Sequence, residues 1–257
     1  MKQQIGMIGV GMMGHGIASN IVKHGHALSV LDHPGNQPLD ALKAAGAQSF
    51  ATAAEVAARS DVVILVLTGS PQVEAVLTGE GGVLQGLRPG SVVIDCSTAL
   101  PASTLRMAKA VQDAGSRFLE TPMTRTPKEA AEGRLNLLVG GDAALLDECR
   151  PLLSCFAENI FHAGPVGAGH SMKLLHNFVS LGTIALISEA AACATHHGVK
   201  PEAFVDILAK GGGGGVALER LRPYLLSGDT SSLRFSVANA CKDLSYYNTM
   251  AGDADVA

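Results

Sequence analysis

Charge is what this sequence has least of. Only 16% of its 257 residues are charged, the net charge is -4, and no basic stripe is present. The missing basic face argues against nucleic acid and anionic membrane as partners. The five cysteines (Cys96, Cys149, Cys155, Cys193 and Cys241) form no C-x-x-C pair and no zinc spacing. That reads as reduced thiols in a cytoplasmic protein rather than a disulfide framework. No acidic or histidine cluster offers a metal site. Met1-Lys2-Gln3-Gln4 runs straight into an apolar strand, so no signal peptide is expected. There is no internal repeat, and the only low-complexity stretch is Gly211 to Gly215.

What is present is apolar: 47% of residues are hydrophobic, enough for a sizeable core. Little charge with many apolar residues also predicts surface buried in a homodimer or homotetramer. Ile5 to Gly9, Leu28 to Leu31, Val62 to Leu67 and Ser91 to Ile94 are short apolar runs that read as strands buried on both faces. Helical stretches lie between them, near Leu39–Ala45, Ala53–Ala58, Pro71–Leu77 and Pro101–Ala114. The alternation continues through Arg117–Leu119 and Leu135–Val139 and stops near Gly164-Pro165. This predicts an α/β fold, a Rossmann-type doubly wound parallel sheet over 1–164, followed by an all-α domain over 165–257. A long interdomain helix from about Ala168 to His197 opens the second domain, stopped by Gly198 and Pro201. Its segment Met172–Ala194 is apolar but carries Lys173, His176, Asn177 and Glu189. Those groups oppose a membrane span, so a buried helix is expected.

Gly9-Val10-Gly11-Met12-Met13-Gly14 is a G-x-G-x-x-G that follows a strand and opens a helix, the context in which the motif binds a dinucleotide. Gly9 permits the turn, Gly11 lets the backbone approach a pyrophosphate, and Gly14 lets helix and strand pack closely. The helix N-terminus supplies N–H groups and partial positive charge. Asp32, 18 residues past Gly14, ends the second strand. A carboxylate there accepts from ribose hydroxyls and repels a 2′-phosphate. Only His33 and Pro34 follow it, with no Arg, so NAD is favoured over NADP.

Lys173, His176, Asn177 and Ser180 stand at i, i+3, i+4 and i+7, a polar stripe along one helix face. Spacing alone leaves open whether Lys173 is solvated or chemical. The motifs together decide. Gly9 to Gly14 continuing to Ala18 and Asn20, then Asp95-Cys96-Ser97-Thr98, Pro122-Met123-Thr124, Gly167-Ala168-Gly169 with Lys173 and Asn177, and Phe235 with Lys242-Asp243-Leu244 resemble the β-hydroxyacid dehydrogenase family, which includes 3-hydroxyisobutyrate dehydrogenase. The resemblance covers nearly the whole chain in order.

It implies hydride transfer between NAD and a small hydroxyacid or aldehyde acid. Lys173 would be the catalytic proton donor and acceptor, its amine made easier to deprotonate by partial burial, and Asn177 would orient substrate or lysine. Cofactor contacts would come from Gly9, Gly11, Met12, Met13, Gly14, Asp32 and Leu67, from Thr98 beside the nicotinamide, and from Lys242 of the second domain. Substrate contacts would come from Ser97, Thr124, Arg125, Thr126, His176 and Ser180.

Two places depart from the family pattern. Arg125-Thr126 replaces two glycines, and Pro122 to Thr126 looks like the substrate loop of sulfolactaldehyde reductases. Arg125 therefore implies a distal anion on the substrate, sulfonate or carboxylate, although that subgroup has Asn where this chain has His176. The family also continues with further helices beyond Asp253-Ala254-Asp255-Val256-Ala257. The competing expectations are a silent NAD-binding or scaffold protein, which would be free to lose Lys173, and an imine reductase-like enzyme, which typically lacks that lysine.

Overall fold

A computed structural model describes residues 3–233 and 235–255. Met1, Lys2 and the last two residues of the chain, which bound the two expected domains, lie outside it, as does Arg234. The chain divides into two compact units, Met1–Lys173 and Leu174–Ala257. The division falls within the long helix.

Nine strands are found among the described residues: β1 (Gln4–Ile8), β2 (Ala27–Leu31), β3 (Gln48–Phe50), β4 (Val62–Leu65), β5 (Val92–Asp95), β6 (Arg117–Glu120), β7 (Met123–Thr124), β8 (Leu135–Gly140) and β9 (Ala157–Gly164). The helices of the first unit are α1 (Met12–Lys23), α2 (Asp40–Ala44), α3 (Ala53–Ala58), α4 (Ser70–Thr78), α5 (Val83–Gly86), α6 (Pro101–Asp113), α7 (Pro127–Glu132) and α8 (Ala143–Leu153). Then follow α9 (Ala168–His196), α10 (Pro201–Lys210), α11 (Val216–Ser227) and α12 (Val237–Asp253).

The sheet runs β3-β2-β1-β4-β5-β6-β8-β7, with β9 paired to β8. From β3 to β6 every pair is parallel. Beyond β6 the strand direction reverses: β8 lies antiparallel to both β6 and β7, and β9 joins it in parallel.

Alternation along the central strands feeds two separate cores. Val62, Ile64, Val92 and Ile94 pack with Ile17 and Ile21 of α1 and with Leu145, Leu146 and Cys149 of α8. Val63, Leu65 and Val93 pack with Val56, Val73, Leu77, Met107 and Val111 of α3, α4 and α6. Each side chain so buried contributes about 1.5–3 kcal/mol. This explains why β4 and β5 read as unbroken apolar runs: neither face meets water.

The second unit has a thinner core, Ile187, Leu218 and Leu221 with partly buried Ile184, Phe204 and Leu208. The expected buried helix is not found. Helix α9 is long and apolar enough to cross a membrane by length and composition, yet only 11% of its most apolar window is buried. Val179 and Leu186 are 65% and 70% exposed. Leu174, Asn177 and Ile187 are buried, but so small a core covers little of a 29-residue helix.

Candidate active site

In a doubly wound sheet, ligands bind beyond the carboxyl ends of the parallel strands. Here those ends carry Gly9 after β1, Asp32 after β2, Leu67 beyond β4, Ser97 and Thr98 after β5, and Glu120 on β6.

The glycine turn has three distinct jobs. Gly9 has φ +95°, and a Cβ there would come 2.1 Å from the Val66 carbonyl oxygen. A Cβ on Gly14 would come 2.0 Å from the Gly9 carbonyl oxygen, so helix and turn are in backbone contact. A Cβ on Gly11 would meet nothing within 4 Å. Gly11 is the N-cap of α1 and brings no side-chain acceptor to the first turn. The open space above it and the uncapped N–H groups fit a pyrophosphate. Met12, 66% exposed, and the half-buried Met13 open the helix beside it.

Two asparagines to which sequence reasoning gave no separate role secure the turn and the helix it opens. Asn36 Oδ1 accepts from Val10 N at 3.2 Å, and its Nδ2 donates to the Leu31 carbonyl at 2.9 Å, tying the turn to the end of β2. Asn20 Nδ2 donates to the carbonyls of Gly16 and Ala130 at 2.9 Å, locking α1 onto α7. Asp32 is exposed at the strand end. Leu67 N donates to Ser97 Oγ at 2.9 Å, and Ser97 N donates to Asp95 Oδ1 at 2.9 Å. Ser97 is buried and Thr98 half-buried.

The substrate loop is more occupied than expected. Thr124 is buried, and its Oγ1 accepts from Asn136 Nδ2 at 3.1 Å. Thr126 caps α7: its N–H and hydroxyl both donate to Glu129 Oε2, at 3.0 and 2.5 Å. That hydroxyl contact holds the Glu129 carboxyl below the usual range. Arg125 has φ +83°. Its Nη1 donates to the Arg134 carbonyl and to the Glu158 carboxylate. This pairing holds Glu158 below the ordinary carboxylate range.

Beneath the start of α9 lies a buried polar cluster that the sequence did not announce. Glu120 Oε1 accepts from Gly167 N at 2.6 Å and Gly169 N at 2.8 Å. His170 Nδ1 lies 2.5 Å from Glu120 Oε2 and 2.9 Å from Thr104 Oγ1, and its Nε2 lies 3.2 Å from the Ser97 carbonyl. Asp95 Oδ2 stands 3.9 Å from Nε2. Burial pushes His170 toward the neutral form. The hydrogen bond to Glu120 and the charges of Asp95 and Glu120 outweigh it, so its pKa is raised. Burial also raises Asp95, and it lifts the neighbouring Cys96 thiol to about 12.

Lys173 follows one turn after Gly169–His170 and is half-buried. In the second unit Asn177 is buried, and its Nδ2 donates to Asp243 Oδ2 at 2.6 Å. His176 Nδ1 lies 3.0 Å from Asn177 Oδ1, and Ser180 Oγ donates to the Asn177 carbonyl at 3.4 Å. Lys242 Nζ pairs with Asp243 Oδ1 at 2.7 Å and sits over the Tyr246 ring.

Residues 4–164 match the NAD binding domain of 6-phosphogluconate dehydrogenase, and residues 167–257 match a family described as NAD-binding of NADP-dependent 3-hydroxyisobutyrate dehydrogenase. The chain belongs to the β-hydroxyacid dehydrogenase family. As a member it is an oxidoreductase that binds a nicotinamide dinucleotide, as the Gly9–Gly14 turn requires. The 2-(hydroxymethyl)glutarate dehydrogenase of Eubacterium barkeri is 34% identical over 88% of this chain and 75% of that one. The NAD-dependent L-serine dehydrogenase of Pseudomonas aeruginosa is 36% identical over 86% of this chain and 74% of that one. Among solved structures, the 3-hydroxyisobutyrate dehydrogenase of Mycobacterium tuberculosis with L-serine has a TM-score of 0.90 at 28% identity, covering 100% of this chain and 89% of that one.

Proposed function

We propose that this β-hydroxyacid dehydrogenase interconverts a small acid of the form HOCH2–CH(R)–COO⁻ and its semialdehyde, with an acidic group in R. The three relatives are named for 2-(hydroxymethyl)glutarate, L-serine and 3-hydroxyisobutyrate. All three share the HOCH2–CH–COO⁻ unit and differ in R. The observation that carries the reading is the placement of Lys173. It follows directly on the Glu120–His170 cluster that ties the start of α9 to the ends of β5 and β6, the edge where the dinucleotide turn also lies.

In the oxidation direction the neutral Lys173 amine takes the alcohol proton as the carbonyl forms; in reduction its ammonium returns that proton. NAD, held by the Gly9–Gly14 turn, would supply the acceptor for the hydride of the carbinol carbon. Asn177 orients the reacting hydroxyl, with its amide fixed by Asp243. Ser97 and Thr124 hold the carboxylate common to the substrates, and Arg125 the acidic group in R. Glu158 and the Arg134 carbonyl engage Nη1 of Arg125, so the anion would take the remaining edge of the guanidinium fork.

A panel decides it: NADH formation from 2-(hydroxymethyl)glutarate, L-serine, 3-hydroxyisobutyrate and 2,3-dihydroxypropane-1-sulfonate. Turnover is expected on the carboxylates, greatest where R is acidic. Lys173→Ala should lose at least ~100-fold in kcat, the scale of general acid–base help, with NADH binding retained. Turnover of the sulfonate alone, or a Lys173→Ala variant of normal rate, overturns the reading.

A further inference from the structure

The buried cluster at the start of α9 has no part in the chemistry just described, yet its geometry favours one protonation state. A carbonyl oxygen only accepts, so the His170 nitrogen facing Ser97 O at 3.2 Å carries a proton. Glu120 Oε1 accepts two backbone N–H groups at 2.6 and 2.8 Å, an arrangement that favours the ionised carboxylate. Its other oxygen lies 2.5 Å from Nδ1, at ion-pair distance. The Thr104 hydroxyl donates to the Leu100 carbonyl at 3.1 Å and so meets Nδ1 as an acceptor. Both ring nitrogens face acceptors, and a histidine with two donors is an imidazolium.

The cluster also immobilises the helix. Gly169 leaves no room for a side chain: a Cβ there would meet the Leu138 carbonyl at 2.5 Å. A Cβ on Gly140 would strike Glu120 Oε1 at 2.0 Å. The two glycines let the Glu120 carboxylate reach the first N–H groups of α9, where negative charge is favourable. His170 stands three residues before Lys173, the spacing at which helix side chains are neighbours.

We propose that His170 is a positioning residue for Lys173: an imidazolium clamped between Glu120 and the Ser97 carbonyl, which fixes the first turn of α9 and offsets the carboxylate charge that would otherwise favour the ammonium form of the lysine. The titratable groups facing His170 are Asp95 from β5 and Glu120 from β6. Without the imidazolium their negative charge stands uncompensated, and it favours the ammonium form of Lys173. The inference rests on Lys173 being the proton-exchanging group, but both of its readouts are independent of turnover.

The first is nitrogen NMR of the histidine rings in the wild-type full chain, with His170 assigned through its contacts with Thr104. Both ring nitrogens should carry protons at about pH 8, well above the ordinary histidine range. A neutral ring at that pH overturns the proposal, and the measurement needs no variant. The second follows the Lys173 side chain by carbon NMR against pH in wild type and in His170→Gln. Titration should move upward by about one pH unit in the variant; an unmoved or lowered titration overturns the role. A structural role alone would lower stability without moving that titration. If no β-hydroxy acid turns over in wild type, the functional reading fails while both NMR results still decide this one.

Discussion

Asn177 and Asp243 form a buried pair, with the amide nitrogen 2.6 Å from one carboxylate oxygen. The other oxygen lies 2.7 Å from Lys242 Nζ, so one carboxylate holds both groups in the second unit. Removing it strands a buried amide and a largely buried ammonium. Asp243→Ala should therefore cost about 3–5 kcal/mol, the usual result of breaking one side of a buried ion pair, read by urea denaturation. Lys242→Met should cost less, since Asp243 keeps its bond from Asn177. The reverse order would contradict the central place given to the Asp243 carboxylate.

The exposed carboxylate of Asp32 stands at the end of β2 with no arginine directly after it in sequence. It suits ribose hydroxyls and repels a 2′-phosphate. kcat/KM is expected to favour NAD over NADP, and Asp32→Ala should narrow the preference. A wild-type preference for NADP would sink this assignment.

Much of the first unit was legible because strand and helix periodicities differ. Helix α3 has the predicted bounds, and α6 and α9 end one residue short of them. Strands β3, β7 and β9 were not legible. β7 has two residues, too few for a period. β9 alternates poorly because only its first residue is buried. The G-x-G-x-x-G announced its job, since each glycine serves a constraint visible in sequence. The Asp95–Glu120–His170 cluster did not. It joins residues from two strand ends and a helix start, and no local pattern marks them as neighbours. Asn36 had a weak signal, a turn residue after a strand. The buried α9 was misread because an apolar segment looks the same whether its cover is inside the chain or outside it.

That exposed face gives a prediction about assembly. Val179 and Leu186 present apolar surface on one helix, and patches of this kind mark interaction sites. A second copy of the chain is the expected cover, giving a dimer or tetramer in light scattering. Leu186→Glu should shift the population toward monomer. A monomer at micromolar concentration in the wild type contradicts the prediction.

The buried histidine makes stability depend on pH with a defined sign. The pKa of His170 is raised in the folded protein, where Glu120 and Asp95 outweigh burial. The folded state binds that proton more tightly than the unfolded chain, whose histidines titrate near about 6.5. The contribution is complete below that value and is lost as pH rises through the higher folded one. Asp95, raised by burial, acts in the same sense at lower pH. The urea midpoint should therefore fall as pH climbs from about 6 to about 9. That slope should flatten in His170→Gln. A midpoint that rises over the same range would contradict the assigned charge.

Arg125 holds a backbone conformation that only glycine adopts without cost. Its φ is +83°, and for a residue with a Cβ the left-handed region costs on the order of 1 kcal/mol. The pair with Glu158 is a weak reason to keep it, because Glu158 is 47% exposed and exposed ion pairs contribute little. A side chain retained at a strained position in the substrate loop is better explained by what it binds. Arg125→Gly separates the two roles, since it relaxes the backbone while removing the guanidinium. Stability should stay level or rise slightly. kcat/KM should fall roughly ten- to a hundred-fold on 2-(hydroxymethyl)glutarate, the loss expected for one charge-assisted contact of about 1.5–3 kcal/mol. On 3-hydroxyisobutyrate, whose R group is a methyl, the loss should be small. Equal losses on both substrates would mean that Arg125 only shapes the loop through Glu158 and Arg134, and the acidic group in R would need another partner.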